Sequence, residues 1–295
     1  MSQHSPSMGN LQNGRRMRLH RSEIEESIPR NHIKSGHRYL IKILLSTLII
    51  SSLLLGTNCN RDEDEVLVFA AVSMKDVLTP IAEEFSTINQ IKIRFNFGAS
   101  TSLAQQISWN SPADLYISAG DSPVELLLQK DLIKPGSRRA LVTNQLVLIV
   151  PSGKSKQGAT IEDILLKSKR IAIADPNLSP AGIYAKESLE NLGLWDILES
   201  RLIFGSHVRN VLTYVESGNV DAGFVYITDT LTTNKVEVPL IIPTDKYSPI
   251  IYPIVLLKTS PNPSGASQFR DFLFEEPSIS HFNKYGFNTA GVQMR

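Results

Sequence analysis

A single cysteine in 295 residues excludes an internal disulfide, and with it the stapled architecture of small secreted domains. Histidine is nearly as scarce where chemistry would need it. His4, His20, His32 and His37 fall in the first 58 residues, which leaves His207 and His281 for a catalytic or metal centre. No block of Lys and Arg accompanies the net charge of +1, which argues against nucleic acid as a partner. The apolar run from Ile43 to Leu55 counts 13 residues, short of the roughly 20 that span a bilayer. A nucleophile elbow is missing too, since Gly98-Ala99-Ser100-Thr101-Ser102 ends in Ser where G-x-S-x-G requires Gly. The segment Pro151-Ser152-Gly153-Lys154-Ser155 resembles a phosphate loop, but Leu148 occupies the position of its first glycine. These gaps predict a protein that is not an enzyme, with no cofactor and no side-chain metal ligands.

What is present divides at Cys59. Residues 1–58 carry a net charge of +5 and the remainder −4, so the near-neutral total conceals two different segments. Lys34, Arg38 and Lys42 lead into the apolar run, which fits the core of a signal peptide better than a membrane span. Gly56-Thr57-Asn58-Cys59 follows it and resembles a lipobox, which makes Cys59 the candidate lipidation site of a membrane-anchored lipoprotein. Asn58 is larger than the usual Gly or Ala there, and plain secretion or an uncleaved anchor are the alternatives. Residues 1–58 therefore read as a leader, and 59–65 as a charged tether.

From Val66 short apolar runs alternate with amphipathic stretches. VLVFAA, KIRFNF, DLYISA, LVLIV, RIAIA, AGFVYI and PIVLL read as strands, mostly buried on both faces. Asp76 to Ser86 and Val208 to Ser217 place apolar residues at helical spacing, the second ending at Gly218. Such alternation predicts an α/β fold with mostly parallel sheets.

Four strand-to-helix junctions carry small or hydroxyl residues, around Ser73, Ser100, Ala181 and Val208. In open α/β sheets ligands bind beyond the carboxyl ends of the strands, and unpaired N–H groups at helix starts favour an anion. Each junction also has a plainer reading. Ser73 and Ser100 suit helix N-caps, and Pro180 is ordinary punctuation before a helix.

The segments VFAAVSMKDVL, FNFGASTSLAQQI, SPADLYISAG, LVTNQLVLIVP, IAIADPNLSPAGIYAKESLENLGLWD, VRNVLTYVESGNVDAGFVYITD, YPIVLL and FNKYGF, together spanning Val66 to Phe287, are similar to the substrate-binding proteins of molybdate ABC transporters. The resemblance implies a tetrahedral oxyanion held by hydroxyl and main-chain donors with no paired cation. Ser73 and Ser100 would give hydroxyls and N–H groups, Ala181 and Val208 main-chain N–H groups, and Tyr226 its phenol. Met74, where Leu is frequent, and the varied loop Gly98 to Ser102 bear on selectivity among oxyanions. A rigid pocket of this kind would pass molybdate and tungstate and reject the smaller sulfate.

The resemblance implies a type II periplasmic-binding-protein-like fold. The expected first lobe is 66–146 with 251–295, the second is 147–250, and a ligand cleft lies between them. The expected function is an extracytoplasmic, monomeric receptor that delivers molybdate or tungstate to a permease in the inner membrane. A receptor of the same fold for sulfate or a small organic anion, in which Arg209 would pair a carboxylate, is the first alternative. A secreted hydrolase using Ser100 is the second. Lys75, Lys186 and Arg209 read as solvated surface charges, and His207 as an exposed residue at a helix start.

Overall fold

The computed structural model describes residues 65–289, and both the leader and Cys59 lie outside them. Ten strands are found among the described residues: β1 (Glu65–Ala71), β2 (Lys92–Gly98), β3 (Leu115–Ile117), β4 (Arg139–Thr143), β5 (Leu146–Pro151), β6 (Ile171–Ala174), β7 (Leu202–Gly205), β8 (Ala222–Tyr226), β9 (Val236–Ile241) and β10 (Ile251–Leu256). The helices of the first two-thirds of the chain are α1 (Lys75–Asn89), α2 (Ser100–Ser108), α3 (Ser122–Gln129), α4 (Ile161–Lys167), α5 (Pro180–Asn191) and α6 (Trp195–Leu198). After them come α7 (Val208–Glu216), α8 (Ile227–Thr230), α9 (Pro263–Phe272) and α10 (Glu276–Lys284).

The strands form two five-stranded sheets, ordered β2-β1-β3-β10-β4 and β7-β6-β8-β5-β9. In each, one strand runs against its neighbours: β10 is antiparallel to β3 and β4, and β5 to β8 and β9. These two strands are the crossovers. The chain leaves β4 of the first sheet to become the reversed strand of the second, and leaves β9 of the second to become the reversed strand of the first. The expected α/β fold with two lobes is present, and the parallel character holds for all but the crossover strands. Two expected boundaries shift by a residue. Glu65 belongs to β1, where it pairs with Lys92, rather than to the charged tether, and Leu146 pairs with Tyr226 in the second sheet.

The central strands are buried because helices cover both faces, as their continuous apolar runs require. Every residue of β3, β6 and β8 is buried. The edge strands β2 and β7 are part exposed, the latter leaving Ile203 and Phe204 on the surface. Helix α1 carries Pro80 inside it, and buries Val77, Leu78, Ile81, Ala82 and Phe85 against the first sheet. Phe85 meets Phe269 and Phe272 of α9 edge to face at 5.1 and 5.3 Å, a geometry that adds to simple burial. Helix α5 lies so close to β6 that a Cβ on Gly182 would collide with the carbonyl oxygen of Ala174. Only glycine permits that approach, and it brings the start of α5 to the end of its strand.

Candidate functional site

Six strand ends meet at one small, narrow cavity. From the first sheet come Ala71, Val72 and Ser73 after β1, Gly98, Ala99 and Ser100 after β2, and Ala119 after β3. From the second come Ser179 after β6, His207 and Val208 after β7, and Tyr226 at the end of β8. All are carboxyl ends of strands that run parallel to one another within their sheet, the place where α/β folds expose helix starts and leave room for a ligand.

Ser73, Ser100, Val208 and Tyr226 are thus brought together, each at most 4% exposed. Ala181 is also buried, at the second position of α5, but the cavity is lined there by its neighbour Ser179 instead. Neither expected serine caps a helix. Ser73 sits in a short 3-10 turn ahead of α1, and Ser100 is the first residue of α2, whose N-cap is Ala99. Their hydroxyls are engaged in tertiary contacts. Ser100 Oγ accepts the main-chain N–H of Ala119 at 3.0 Å, and Ser73 Oγ lies 3.0 Å from the Tyr252 hydroxyl. The N-cap reading fails because in each case a partner from another element claims the side chain.

The Tyr226 hydroxyl crosses to the first lobe and donates to the carbonyl of Ala119 at 3.5 Å. Burial, with Tyr252 beside it, pushes its ionisation well above the ordinary phenol range, so it stays protonated and able to donate. His207 is half-buried rather than exposed. It caps α7 by accepting the N–H of Asn210 on Nδ1 at 3.3 Å, and burial lowers its pKa, reinforced by Arg209. The neutral imidazole with Nδ1 filled therefore carries its proton on Nε2. Among the described residues, no carboxylate lines the cavity.

The three charges singled out from sequence behave differently. Lys75 is exposed, and Lys186 pairs with Glu190 at 3.6 Å and covers Trp195 of α6. Arg209 is not a solvated surface charge. Its guanidinium joins Asp76 of α1 at 2.6 Å to fully buried Asp229 of α8 at 2.7 Å, the latter pair close but not aligned for a hydrogen bond. It also reaches the carbonyl of Ser73 at 3.5 Å. Sequence spacing places Arg209 in the first turn of α7 but holds no sign of the two acids, which arrive from 133 residues upstream and from the turn after β8.

The other motifs resolve plainly. In the loop after β5 the N–H groups of Gly153 and Ser155 donate to the carboxylate of Glu237, which lowers that group's pKa and leaves those donors engaged within the protein. Among the described residues, no three His, Cys, Asp or Glu side chains are grouped to hold a metal ion, and no helix is long and apolar enough to cross a membrane.

Residues 66–288 match the family model for bacterial extracellular solute-binding proteins. A Bacillus subtilis protein, YvgL, named for an ABC transporter substrate-binding lipoprotein, is 35% identical over 83% of this chain and 96% of its own length. The molybdate-binding protein ModA of Escherichia coli is 33% identical over 78% of this chain and 91% of its own. Among solved structures, the substrate-binding domain named for a molybdenum ABC transporter of Clostridium difficile superposes with a TM-score of 0.61 at 37% identity. It covers 77% of this chain and 99% of that one.

Proposed function

Because the chain belongs to the bacterial extracellular solute-binding proteins, with molybdate-binding relatives across most of its length, we propose that it captures molybdate or tungstate and presents it to an ABC permease. The observation that carries this reading is the convergence of Ser73, Ser100, Val208 and Tyr226, two from each sheet, on a cavity that the described carboxylates do not line. Hydroxyls and the N–H groups of helix starts replace hydration around an anion, and leave no buried cation unpaired when the site is empty. Ala181, beside the lining residue Ser179, contributes its main-chain N–H in this reading. The molecule is a receptor and performs no chemistry on its ligand.

The alternatives are less well supported. A carboxylate ligand calls for an arginine with its fork free, and that of Arg209 is held by Asp76 and Asp229. A hydrolase needs a base oriented by an acid beside its nucleophile, but Nδ1 of His207 is occupied by a main-chain N–H, and the His281–Glu84 pair does not line the cavity that holds Ser100. In this reading the chain is a monomer outside the cytoplasm, tethered at Cys59, and the lipoprotein name of YvgL supports the tether. Contacts from both lobes would favour the closed cleft by differential affinity.

The test is thermal unfolding with molybdate, tungstate, sulfate and phosphate added singly. A ligand at about 100 times its Kd stabilises the folded state by about 2.7 kcal/mol. Molybdate and tungstate should raise Tm and sulfate should not. No shift with any of the four removes the oxyanion reading.

A further inference from the structure

The Ser73 hydroxyl is one end of a chain of hydrogen bonds that starts in the first crossover. Asn144 lies between β4 and β5, and its side-chain oxygen accepts the N–H of Gln145 at 2.9 Å. A main-chain N–H can only donate, so this bond fixes which end of the amide is Nδ2. Nδ2 then donates one proton to Thr228 Oγ1 at 2.9 Å and the other to the Tyr252 hydroxyl at 3.3 Å. Tyr252 is fully buried, and burial holds its phenol protonated. With its oxygen accepting from Asn144, its one proton has Ser73 Oγ, 3.0 Å away, as its partner. A buried O–H left without an acceptor is costly, which makes this direction the stable one.

Resting on the oxyanion reading, we propose that Asn144 and Tyr252 are positioning residues that hold Ser73 as an obligate donor to the ligand, and so select oxyanions that carry no proton. Ser73 Oγ accepts from Tyr252, and its own proton is turned toward the cavity. Ser100 is held in the same sense, because its oxygen accepts the N–H of Ala119. Molybdate, tungstate and sulfate present only acceptors at neutral pH. Hydrogenphosphate carries at least one O–H, which would face donors in a pocket whose described lining offers no carboxylate. Size would then separate molybdate from sulfate, and hydrogen-bond polarity would separate both from phosphate.

Calorimetric titration of the wild type, Tyr252→Phe and Thr228→Val with molybdate and tungstate, and competition by phosphate in excess, test the relay. Tyr252→Phe keeps the ring and frees the Ser73 hydroxyl to turn. It should weaken molybdate about tenfold, and leave the weak competition by phosphate unchanged or improved. Thr228→Val removes the other partner of Asn144 and should stay within about twofold of wild type. If Tyr252→Phe melts far below the wild type, Asn144→Asp replaces it. The new carboxylate would accept from Tyr252, reverse the relay and weaken molybdate by tenfold or more. Wild type that binds molybdate, with Tyr252→Phe equal to it or losing phosphate in the same proportion, overturns the relay alone. Wild type that binds none of the anions overturns the receptor reading and the relay together.

Discussion

Tyr226 and Ser100 make different demands on a mutational test, although both are proposed donors. Tyr226→Phe removes a hydroxyl whose partner in the structure, the Ala119 carbonyl, is distant at 3.5 Å. It should leave Tm near wild type and weaken molybdate by about 1–3 kcal/mol, the range for losing a hydrogen bond to a charged ligand. Ser100→Ala should weaken binding similarly, but it also strands the buried N–H of Ala119. Chemical denaturation should therefore show a stability loss of about 1–3 kcal/mol for Ser100→Ala and almost none for Tyr226→Phe. Equal stability losses would mean that the two hydroxyls are held alike. Ser100 was legible from its junction motif, and Tyr226 only from the family resemblance. Their partners were not, because Ala119 and Tyr252 meet the serines only through the sheet order.

The helices and strands were legible in proportion to their burial. Continuous apolar runs marked β1, β5, β6, β8 and β10, whereas the run is only three residues long in β4 and β7 and is interrupted by Glu237 and Pro239 in β9. Close approach is equally hidden from pattern. Gly182→Ala would push α5 off the end of β6, so it should lower Tm and abolish ligand stabilisation together, whereas Gly193→Ala, at a loop position of positive φ, should cost stability alone. The Asp76–Arg209–Asp229 bridge ties α1 to α7 and α8. Burial pushes the pKa of Asp229 up to about 6 from an ordinary 3.8, against the attraction of Arg209 and the N–H of Tyr226. The folded state binds that proton more tightly, so this group's contribution is fully present below about pH 3.8 and is lost as pH rises through about 6. Arg209→Met takes away the opposing charge and leaves a buried carboxylate. It should cost about 3–5 kcal/mol at pH 8 and clearly less at pH 5, as read by denaturant melts at both values. A loss independent of pH would assign the role of Arg209 to packing.

Across the two lobes the contacts include Tyr226 to Ala119, Arg209 to Asp76 and to the Ser73 carbonyl, and Gly120 against Pro180 and Tyr184. Gly120 admits no side chain, since a Cβ there would sit 2.7 Å from the Tyr184 hydroxyl and 2.9 Å from Pro180. Gly120→Val should hold the lobes apart, weakening molybdate by more than tenfold with little change in the circular dichroism of either sheet. This closed arrangement came to light only in three dimensions, whereas the two-lobed fold was already implied by the family resemblance. The exchanged strands also dictate an order of events in time. The second sheet is complete once residue 241 is available, because β5 through β9 are contiguous in the chain. The first has no connection between β3 and β4 until β10 slides between them. A refolding chain should therefore protect the amides of β6 and β8 from hydrogen exchange before those of β4, and the binding cavity, which needs both sheets, should be the last feature to form.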